Sequence, residues 1–361
     1  MQKKDRHKLI IDTLLQSAGP LSAGDFPLDV LECDRATLFR DLTELGKRGV
    51  VQQKGSTKGA RYELKAGSIE RLRLDLSESP DSRPKVGYNP EFLRAYEPNK
   101  TFLLSDEQLW RLCDASKVGE IKDRDAYSKV LSALLIDLSY GSSKLEDVRM
   151  SFLDTKALIE FGETPEGASP RDIQIVLNHK EAINFMVAND LSISRRDLFD
   201  LHSLLCKGLM AEPGVEGRLR TRYVTIEDSA FSPINNPHQL EEEFDLFCVK
   251  AQKIQNPFEQ AFFTMATIPY LQSFQDCNKR TSRVAMNIPL VRERLCPYSF
   301  SMTPKSEYML GLVVVYERND TRILSEAFVK GYEATSRRYL DLMKVMDMPG
   351  ASFSSSKPRM K

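Results

Sequence analysis

The sequence predicts a mainly helical protein that is preceded by a small α+β domain. Over residues 88–340, apolar side chains recur at helical spacing, as in Leu131, Leu134 and Leu138. Before that stretch lie two helical patterns and one hairpin pattern, followed by a polar segment with two prolines. At 361 residues, the chain is long enough for two or three domains.

Residues 1–70 predict a compact unit of helices followed by a hairpin. Apolar residues from Leu9 to Leu15 have helical spacing, and a second helix is predicted from Arg35 to Lys47. Residues 50–64 alternate around a basic, glycine-flanked tip, which is typical of a β-hairpin. Helices followed by a basic hairpin resemble a winged helix-turn-helix domain.

That resemblance implies a DNA-binding surface made by the second helix and the hairpin. Residues 1–65 carry 12 Lys/Arg against 9 Asp/Glu, a net charge of +3 in a chain whose net charge is zero. The candidate groove-facing and phosphate-contacting residues are Arg35, Thr37, Arg40, Lys54, Lys58 and Arg61. A winged helix used only for protein contact or dimerisation stays open as the alternative.

The remaining boundaries are set by composition. Residues 71–90 are predicted to be a linker, because their centre is polar and has no periodicity. A second domain is predicted over residues 91–345, and residues 346–361 are predicted to be a disordered tail.

The most informative stretch of the second domain is Gln272–Arg283, which reads QSFQDCNKRTSR. It lies between two apolar runs, so it predicts a helix, a short polar loop and another helix. Asn278, Lys279 and Arg280 fall in the first turn of that later helix, where free backbone N–H groups favour an anion. Two arginines on one helical face suit a polyphosphate, and Asp276 is an oxygen ligand suited to Mg²⁺.

These residues resemble the signature of the Fic (Fido-fold) family, H-P-F-x-[D/E]-G-N-G-R-x-x-R. The resemblance implies an all-helical Fic core that uses ATP and Mg²⁺ to transfer AMP to a Ser, Thr or Tyr hydroxyl of a target protein. It implies a metal ligand at Asp276 and a set of nucleotide-binding residues. That set is Phe274, Asp276, Cys277, Asn278, Lys279, Arg280 and Arg283.

The sequence departs from this signature at three positions. Gln272 stands where the family has its catalytic histidine, and an amide cannot accept a proton as a neutral imidazole does. Cys277 and Lys279 stand where the family has two glycines. His238 follows the segment described next, and it is the candidate for a substitute base.

Two further segments resemble parts of the same family. Residues 142–147 (SSKLED) resemble an inhibitory motif, which implies an inhibitory helix around residues 127–147 that carries Ser142 and a Glu146 paired with Arg283. Residues 219–237 alternate, and they resemble a flap hairpin that docks the target through Tyr223, Val224 and Thr225.

Three functions are compatible with these patterns. The first is a Fic-type nucleotidyltransferase of weak or conditional activity, and the second is a catalytically inactive, nucleotide-sensing transcriptional regulator. The third is an interaction module whose domains are scaffolds, but the retained Asp276, Asn278, Arg280 and Arg283 argue against it.

Composition narrows the setting. The net charge of zero gives no general case for a nucleic-acid or membrane surface. No apolar run reaches the roughly 20 residues of a membrane span. The six cysteines are scattered without Cys/His ligand spacing, so they predict reduced thiols in a cytoplasmic protein. A homodimer stays open.

Overall fold

A computed structural model describes residues 1–17, 19–56, 59–116, 124–212 and 214–345. The chain forms two compact units, Met1–Pro84 and a second that begins at Lys85. Lys58 and the predicted tail over residues 346–361 lie outside the described residues.

The first unit consists of helices packed on a hairpin. Its elements are α1 (Lys3–Gln16), α2 (Arg35–Lys47), β1 (Val51–Lys54), β2 (Arg61–Leu64) and α3 (Ile69–Asp75). Strands β1 and β2 pair antiparallel, with Val51 opposite Leu64, and Leu21 forms a bridge to Tyr62 on the other side of β2. Asp34 caps α2 by accepting a hydrogen bond from Thr37 N at 2.7 Å.

The predicted linker over residues 71–90 contains regular structure at both ends. Helix α3 extends to Asp75, because Ser68 caps its first turn and Leu72 is buried. At the other end, Val86–Gly87 forms strand β3. Composition missed both elements because each is short.

The second unit is a helical domain, and its described elements follow in chain order. They are β3 (Val86–Gly87), α4 (Glu91–Arg94), α5 (Asp106–Ser116), α6 (Arg124–Lys144), α7 (Phe152–Phe161), α8 (Pro170–Ala188), α9 (Arg195–Cys206), β4 (Phe231–Ser232), α10 (Pro237–Lys253), α11 (Pro257–Leu271), α12 (Asn278–Ala285), α13 (Ile288–Arg292), α14 (Lys305–Arg318) and α15 (Arg322–Val345). Strands β3 and β4 pair in parallel.

Helix α11 is the centre of this unit. Every residue from Phe258 to Leu271 is buried, as expected for a helix that is apolar on all sides. Asn256 caps its first turn, with Pro257 at the first helical position. The helix ends at Leu271, and its C-cap residue Gln272 has a left-handed backbone with φ 47°. The polar signature residues therefore begin at the C-terminus of a helix that lies in the core.

The predicted flap hairpin over residues 219–237 is wrong. Residues 219–230 form no strand, and Phe231–Ser232 pairs with Val86–Gly87 instead of with its own neighbours. A side chain holds the segment: the Arg220 guanidinium donates to the carbonyl oxygens of Gln272, Arg222 and Ile234. These hydrogen bonds run from a side chain to backbone carbonyls. They hold the segment without making it a β-strand, even though its sequence alternates.

None of the helices described here has both the length and the apolar composition needed to cross a membrane.

Candidate functional site

The loop over residues 272–277, here called the signature loop, joins α11 to α12 and is folded around Asn278. The Asn278 amide donates to Gln272 Oε1 at 3.1 Å and to Phe274 O at 2.8 Å, and its oxygen accepts from Phe274 N at 2.9 Å. Phe274 is fully buried, and its ring stacks on His202 with a centroid distance of 3.9 Å. Asn278 and Phe274 therefore fix the loop from both sides.

Gln272 is held in place by both ends of its amide. Its Nε2 donates to Pro269 O at 2.7 Å, while Oε1 accepts from Asn278. The side chain lines a cavity of about 290 Å³ at the N-terminus of α12. It is thus a positioned hydrogen-bonding group without the capacity to take a proton.

Cys277 adopts the left-handed backbone that begins α12, with φ 61°. Glycine adopts this conformation without strain, which accounts for the glycine that the family signature has here. The cysteine is buried, and its thiol meets Cys206 on α9. The closeness of the two thiols, with His202 beside them, lowers the pKa of Cys206 and, together with burial, raises that of Cys277.

Arg280 has unused hydrogen-bonding capacity in a buried position. Its side chain is 2% exposed, and Nη1 is buried with no hydrogen-bond partner among the described residues. Its Nε lies 3.5 Å from Glu146 Oε2, and Nη2 lies 3.5 Å from Asp276 Oδ2. Leaving a buried guanidinium donor unpaired is costly, so the group fits an anionic ligand in the cavity.

Arg283 does not line the cavity, and a series of hydrogen bonds holds its guanidinium in place. Its Nη2 donates to Glu146 Oε1 at 2.6 Å, and its Nε donates to Ser142 Oγ at 2.8 Å. Ser142 Oγ lies 2.7 Å from His179 Nε2, and His179 Nδ1 lies 2.8 Å from Ile175 O. Because Ile175 O can only accept, the proton of the neutral imidazole sits on Nδ1, so Ser142 Oγ accepts from Arg283 and donates to Nε2.

This arrangement fixes the charges of Glu146 and His179. Burial alone would raise the pKa of Glu146, but the guanidiniums of Arg283 and Arg280 outweigh it and lower the pKa to about 2. Burial lowers the pKa of His179 to about 3, with Arg283 adding to the shift. Glu146 is therefore an anion and His179 a neutral acceptor across the physiological pH range.

The end of α6 places Glu146 by close packing and a backbone reversal. A Cβ at Gly141 would lie 2.4 Å from Ser299 O, so only glycine lets α6 approach this closely. Helix α6 ends at Lys144, so Glu146 lies just beyond the helix and not within it. Asp147 then adopts φ 63°, a conformation that Asp tolerates less well than Gly or Asn, and pairs with Lys305 at 2.5 Å.

The cavity gathers most of the predicted site residues and leaves some outside. It is lined by Glu146, Gln272, residues 275–280, residues 224–228 and part of α14. Val224 and Thr225 thus lie beside the signature loop, whereas Tyr223 is half-exposed outside the lining. Phe274 and Arg283 are buried and do not line it.

The proposed substitute base is not at the cavity. His238 is exposed in the first turn of α10 and does not line it. Glu227 and Asp228 do line it, and they are carboxylates that the sequence pattern did not single out. No histidine is among the described residues that line the cavity.

Three groups around the site carry no signal in the motif itself. Arg220, 5% exposed, ties residues 219–234 to the signature loop, and His179 completes the contacts of Arg283. The fold also brings His202, Cys206 and Cys277 together, a cluster that the scattered cysteine positions did not indicate. The i,i+4 spacing of His202 and Cys206 was the available signal, but Cys277 joins them only through the fold.

The signature loop lies within a region of the chain that is similar to known proteins. Residues 192–290 match the family model described as the Fic/DOC family. The chain is 26% identical over 213 residues to protein adenylyltransferase fic-1 of Caenorhabditis elegans, covering 57% of this chain and 41% of that protein. It is 27% identical over 177 residues to protein adenylyltransferase Fic of Nematostella vectensis, covering 47% and 40%.

Two solved structures have the same fold as the larger part of this chain. A C. elegans Fic-1 structure spanning residues 134–508 of that protein has a TM-score of 0.57 at 22% identity, covering 67% of this chain and 73% of that one. A Fic family protein from Desulfovibrio desulfuricans has a TM-score of 0.56 at 16% identity, covering 70% and 78%. The chain spans about two fifths of the length of the curated relatives it matches. Its second unit therefore carries a Fic domain.

Proposed function

We propose that the Fic domain binds ATP with Mg²⁺ at the N-terminus of α12 and transfers AMP to a hydroxyl of a target protein. The observation that carries this proposal is Arg280, a buried guanidinium with an unpaired Nη1 that lines the α12 cavity. The relatives named as adenylyltransferases support the same chemistry.

The residues of the cavity suit a nucleotide polyphosphate. The first turn of α12 offers backbone N–H groups, and Lys279 and Arg280 add positive charge beside them. Asp276 lines the cavity with its side chain half-exposed, and it would hold the Mg²⁺. When bound, that ion neutralises phosphate charge.

Glu146 holds the site in an inhibited state. It contacts both guanidiniums, Arg283 at 2.6 Å and Arg280 at 3.5 Å. A terminal phosphate of ATP needs the same donors, so the carboxylate competes with it directly. Release of Glu146 would free both arginines for the triphosphate.

In the transfer step, the hydroxyl oxygen bonds to the α-phosphorus, the bond to the bridging oxygen breaks, and pyrophosphate leaves. The hydroxyl proton needs an acceptor, which Gln272 cannot be. Gln272 instead orients the hydroxyl by hydrogen bonding, and water or a lining carboxylate, Glu227 or Asp228, takes the proton. Val224 and Thr225 line the cavity, and they would dock the backbone of the target.

One observation favours a second function. Since no imidazole is among the described residues that line the cavity, the domain would also suit nucleotide sensing without transfer. In that case, the first unit would be the output as a winged-helix transcriptional regulator. Bound nucleotide without product distinguishes this function from the first.

The test is intact-mass and peptide mass spectrometry after incubation with Mg²⁺-ATP. We expect Glu146→Gly/Gln272→His to modify itself with AMP ~10²–10⁴-fold faster than Glu146→Gly, since only the proton acceptor has been added. Tyr223 and Thr225 are the expected self-targets. Ser229, which lies in the same segment, is buried with its hydroxyl bonded to Glu317, so it is excluded.

The matched control is Glu146→Gly/His238→Gln, which removes a histidine outside the cavity and should behave as Glu146→Gly. No modification of any form, together with measurable ATP binding, would favour the sensing function. Neither modification nor ATP binding would overturn both.

We further propose that the first unit is a winged-helix domain that binds DNA. Arg35 and Arg40 are exposed on α2, and Thr37 between them accepts from Arg40 at 2.8 Å. Arg61 is exposed at the start of β2, while Lys54 is exposed but pairs with Glu63. These side chains lie on one helix and one hairpin, and they suit contact with DNA phosphates.

A further inference from the structure

Two sulfurs and one imidazole meet beneath the signature loop. His202 and Cys206 lie one turn apart on α9, and Cys277 stands at the N-cap of α12. All three residues are buried, and their ligand atoms lie within 4.8 Å of one another. The nucleotide chemistry proposed above assigns no step to these three side chains, although Cys277 also lines the cavity.

The hydrogen bonds of His202 show which of its ring nitrogens is free of a proton and can bind a metal beside the sulfurs. Its Nε2 lies 3.2 Å from Asp276 O, a carbonyl that can only accept, so Nε2 carries the proton. Its Nδ1 therefore has the lone pair; it accepts from Gly217 N at 3.0 Å and lies 3.8 Å from Cys206 Sγ. A ring N–H donated to a backbone carbonyl is the usual second contact of a metal-binding histidine.

We propose that His202 Nδ1, Cys206 Sγ and Cys277 Sγ bind a thiophilic divalent cation, with Zn²⁺ as the natural occupant. Two thiolates and one imidazole favour Zn²⁺ over the oxygen-seeking Mg²⁺ that Asp276 suits. Three protein ligands leave one tetrahedral position for water. The two thiol protons are released to solvent as the two metal–sulfur bonds form.

Binding has two structural consequences. The metal takes the Nδ1 lone pair from Gly217 N, so the backbone at Gly217 must shift. The metal also ties α9 to the first residue before α12, next to Asn278 and Arg280. It therefore acts as a clamp on the signature loop, whatever the loop binds.

The test is titration of the full-length, metal-stripped protein with Co²⁺ under anaerobic, reducing conditions, followed by competition with Zn²⁺. We expect about one Co²⁺ per chain, with thiolate-to-cobalt charge-transfer absorption that Zn²⁺ abolishes. Zn²⁺ should also raise the Tm of the wild type.

Cys277→Gly is the decisive variant, because glycine suits φ 61° and removes a ligand without straining the backbone. It should fold, as checked by circular dichroism, and bind Co²⁺ at least tenfold more weakly without the charge-transfer band. Cys206→Ser should give the same loss. Cys113→Ser, which alters an exposed cysteine on α5, is the matched control and should bind as the wild type does.

Three results would overturn the site. They are a wild type without a thiolate–cobalt band, a folded Cys277→Gly that binds Co²⁺ as the wild type does, and a Tm unmoved by Zn²⁺. A Cys206–Cys277 disulfide that forms in air while the reduced protein ignores Co²⁺ would assign the pair to thiol oxidation instead.

Discussion

At the scale of single residues, the site is governed by the balance of charge around two buried arginines. Arg280 and Arg283 are 2% and 1% exposed in their side chains, and Glu146 is the carboxylate that touches both. Breaking a buried ion pair by removing one partner is costly, because the remaining charge is left uncompensated. Removal of Glu146 should therefore favour the binding of another anion by Arg280 and Arg283.

The first prediction follows from the two arginine charges that would be left without a carboxylate partner. Glu146→Gly should bind ATP roughly tenfold more tightly than the wild type, ~1.4 kcal/mol, because both guanidiniums become available to phosphate. Isothermal titration calorimetry in the presence of Mg²⁺ measures the affinity. In addition, the Tm without nucleotide should fall and be restored by ATP.

Asp147→Gly is the matched control for this prediction. It removes the neighbouring carboxylate, which is exposed and pairs with Lys305, and glycine suits its left-handed backbone. Its ATP affinity should equal that of the wild type. Equal affinity in Glu146→Gly and the wild type would mean that Glu146 does not compete with phosphate.

The second prediction concerns His179 and acid pH. Because burial lowers its pKa from 6.5 to about 3, the folded state binds fewer protons than the unfolded state between these values. The free energy of unfolding should therefore fall as the pH drops below about 6.5.

His179→Gln should remove about 1.4 kcal/mol per pH unit from the slope of unfolding free energy against pH, between pH 6.5 and 4.5. Urea denaturation followed by Trp110 fluorescence reports on the second unit, since Trp110 is the sole tryptophan and lies on α5. His238→Gln, which alters an exposed histidine, should keep the wild-type slope. An unchanged slope in His179→Gln would contradict this account.

At the scale of elements, the structure shows why some segments could be predicted and others could not. The α11–loop–α12 unit follows from local sequence, because apolar runs flank one polar stretch and Asn278 completes the loop from within it. Residues 219–230 alternate like a strand but lack a partner strand. Arg220 holds them through the backbone carbonyls of Gln272 and Ile234, contacts that no local pattern encodes.

The same distinction holds within the site. The sequence indicated the proximity of Glu146 and Arg283 only through a family resemblance, and the structure places them 2.6 Å apart. His179 lies on α8 and His202 lies on α9. Their actual partners, Ser142 and the Asp276 carbonyl, come from other elements. Long-range polar contacts of this kind are set by packing and not by periodicity.

Arg220 gives the third prediction. Arg220→Met should lower the free energy of unfolding of the second unit by about 2–4 kcal/mol, because three carbonyls lose a charged donor inside the protein. Arg222→Met is the matched control, since Arg222 is exposed and pairs only with Glu212 among the described contacts of its side chain. Its effect should stay within about 0.5 kcal/mol. Equal losses would mean that Arg220 has no special role.

At the scale of the whole molecule, two units with different chemistry share one chain. The first unit presents basic side chains on α2 and β2, and the second has the buried Arg280 guanidinium at α12. The first unit also exposes Phe39 and Val30, two large apolar side chains. Those residues suit a protein partner, and the arginines suit phosphate, so the two uses can be separated by experiment.

The fourth prediction is that the wild type binds duplex DNA with strong salt dependence. Arg35→Ala/Arg40→Ala/Arg61→Ala should weaken binding and reduce the slope of log K against log salt by about 0.9 per lost phosphate contact. Fluorescence anisotropy with a mixed-sequence duplex measures both quantities. Lys156→Ala/Arg196→Ala/Lys330→Ala is the matched control, because it removes the same charge from solvent-facing positions of the second unit.

If charge alone attracts DNA, the two triple variants should lose the same slope, and the winged-helix surface would have no specific role. If the first triple loses the slope and the control keeps it, the contacts lie on α2 and β2. A wild type without DNA binding whose Phe39→Ser variant loses self-association or capture of a partner would assign this surface to protein contact, for which Phe39 is 44% exposed. The salt slope decides among these cases because apolar contacts release no counterions, whereas each arginine on a phosphate does.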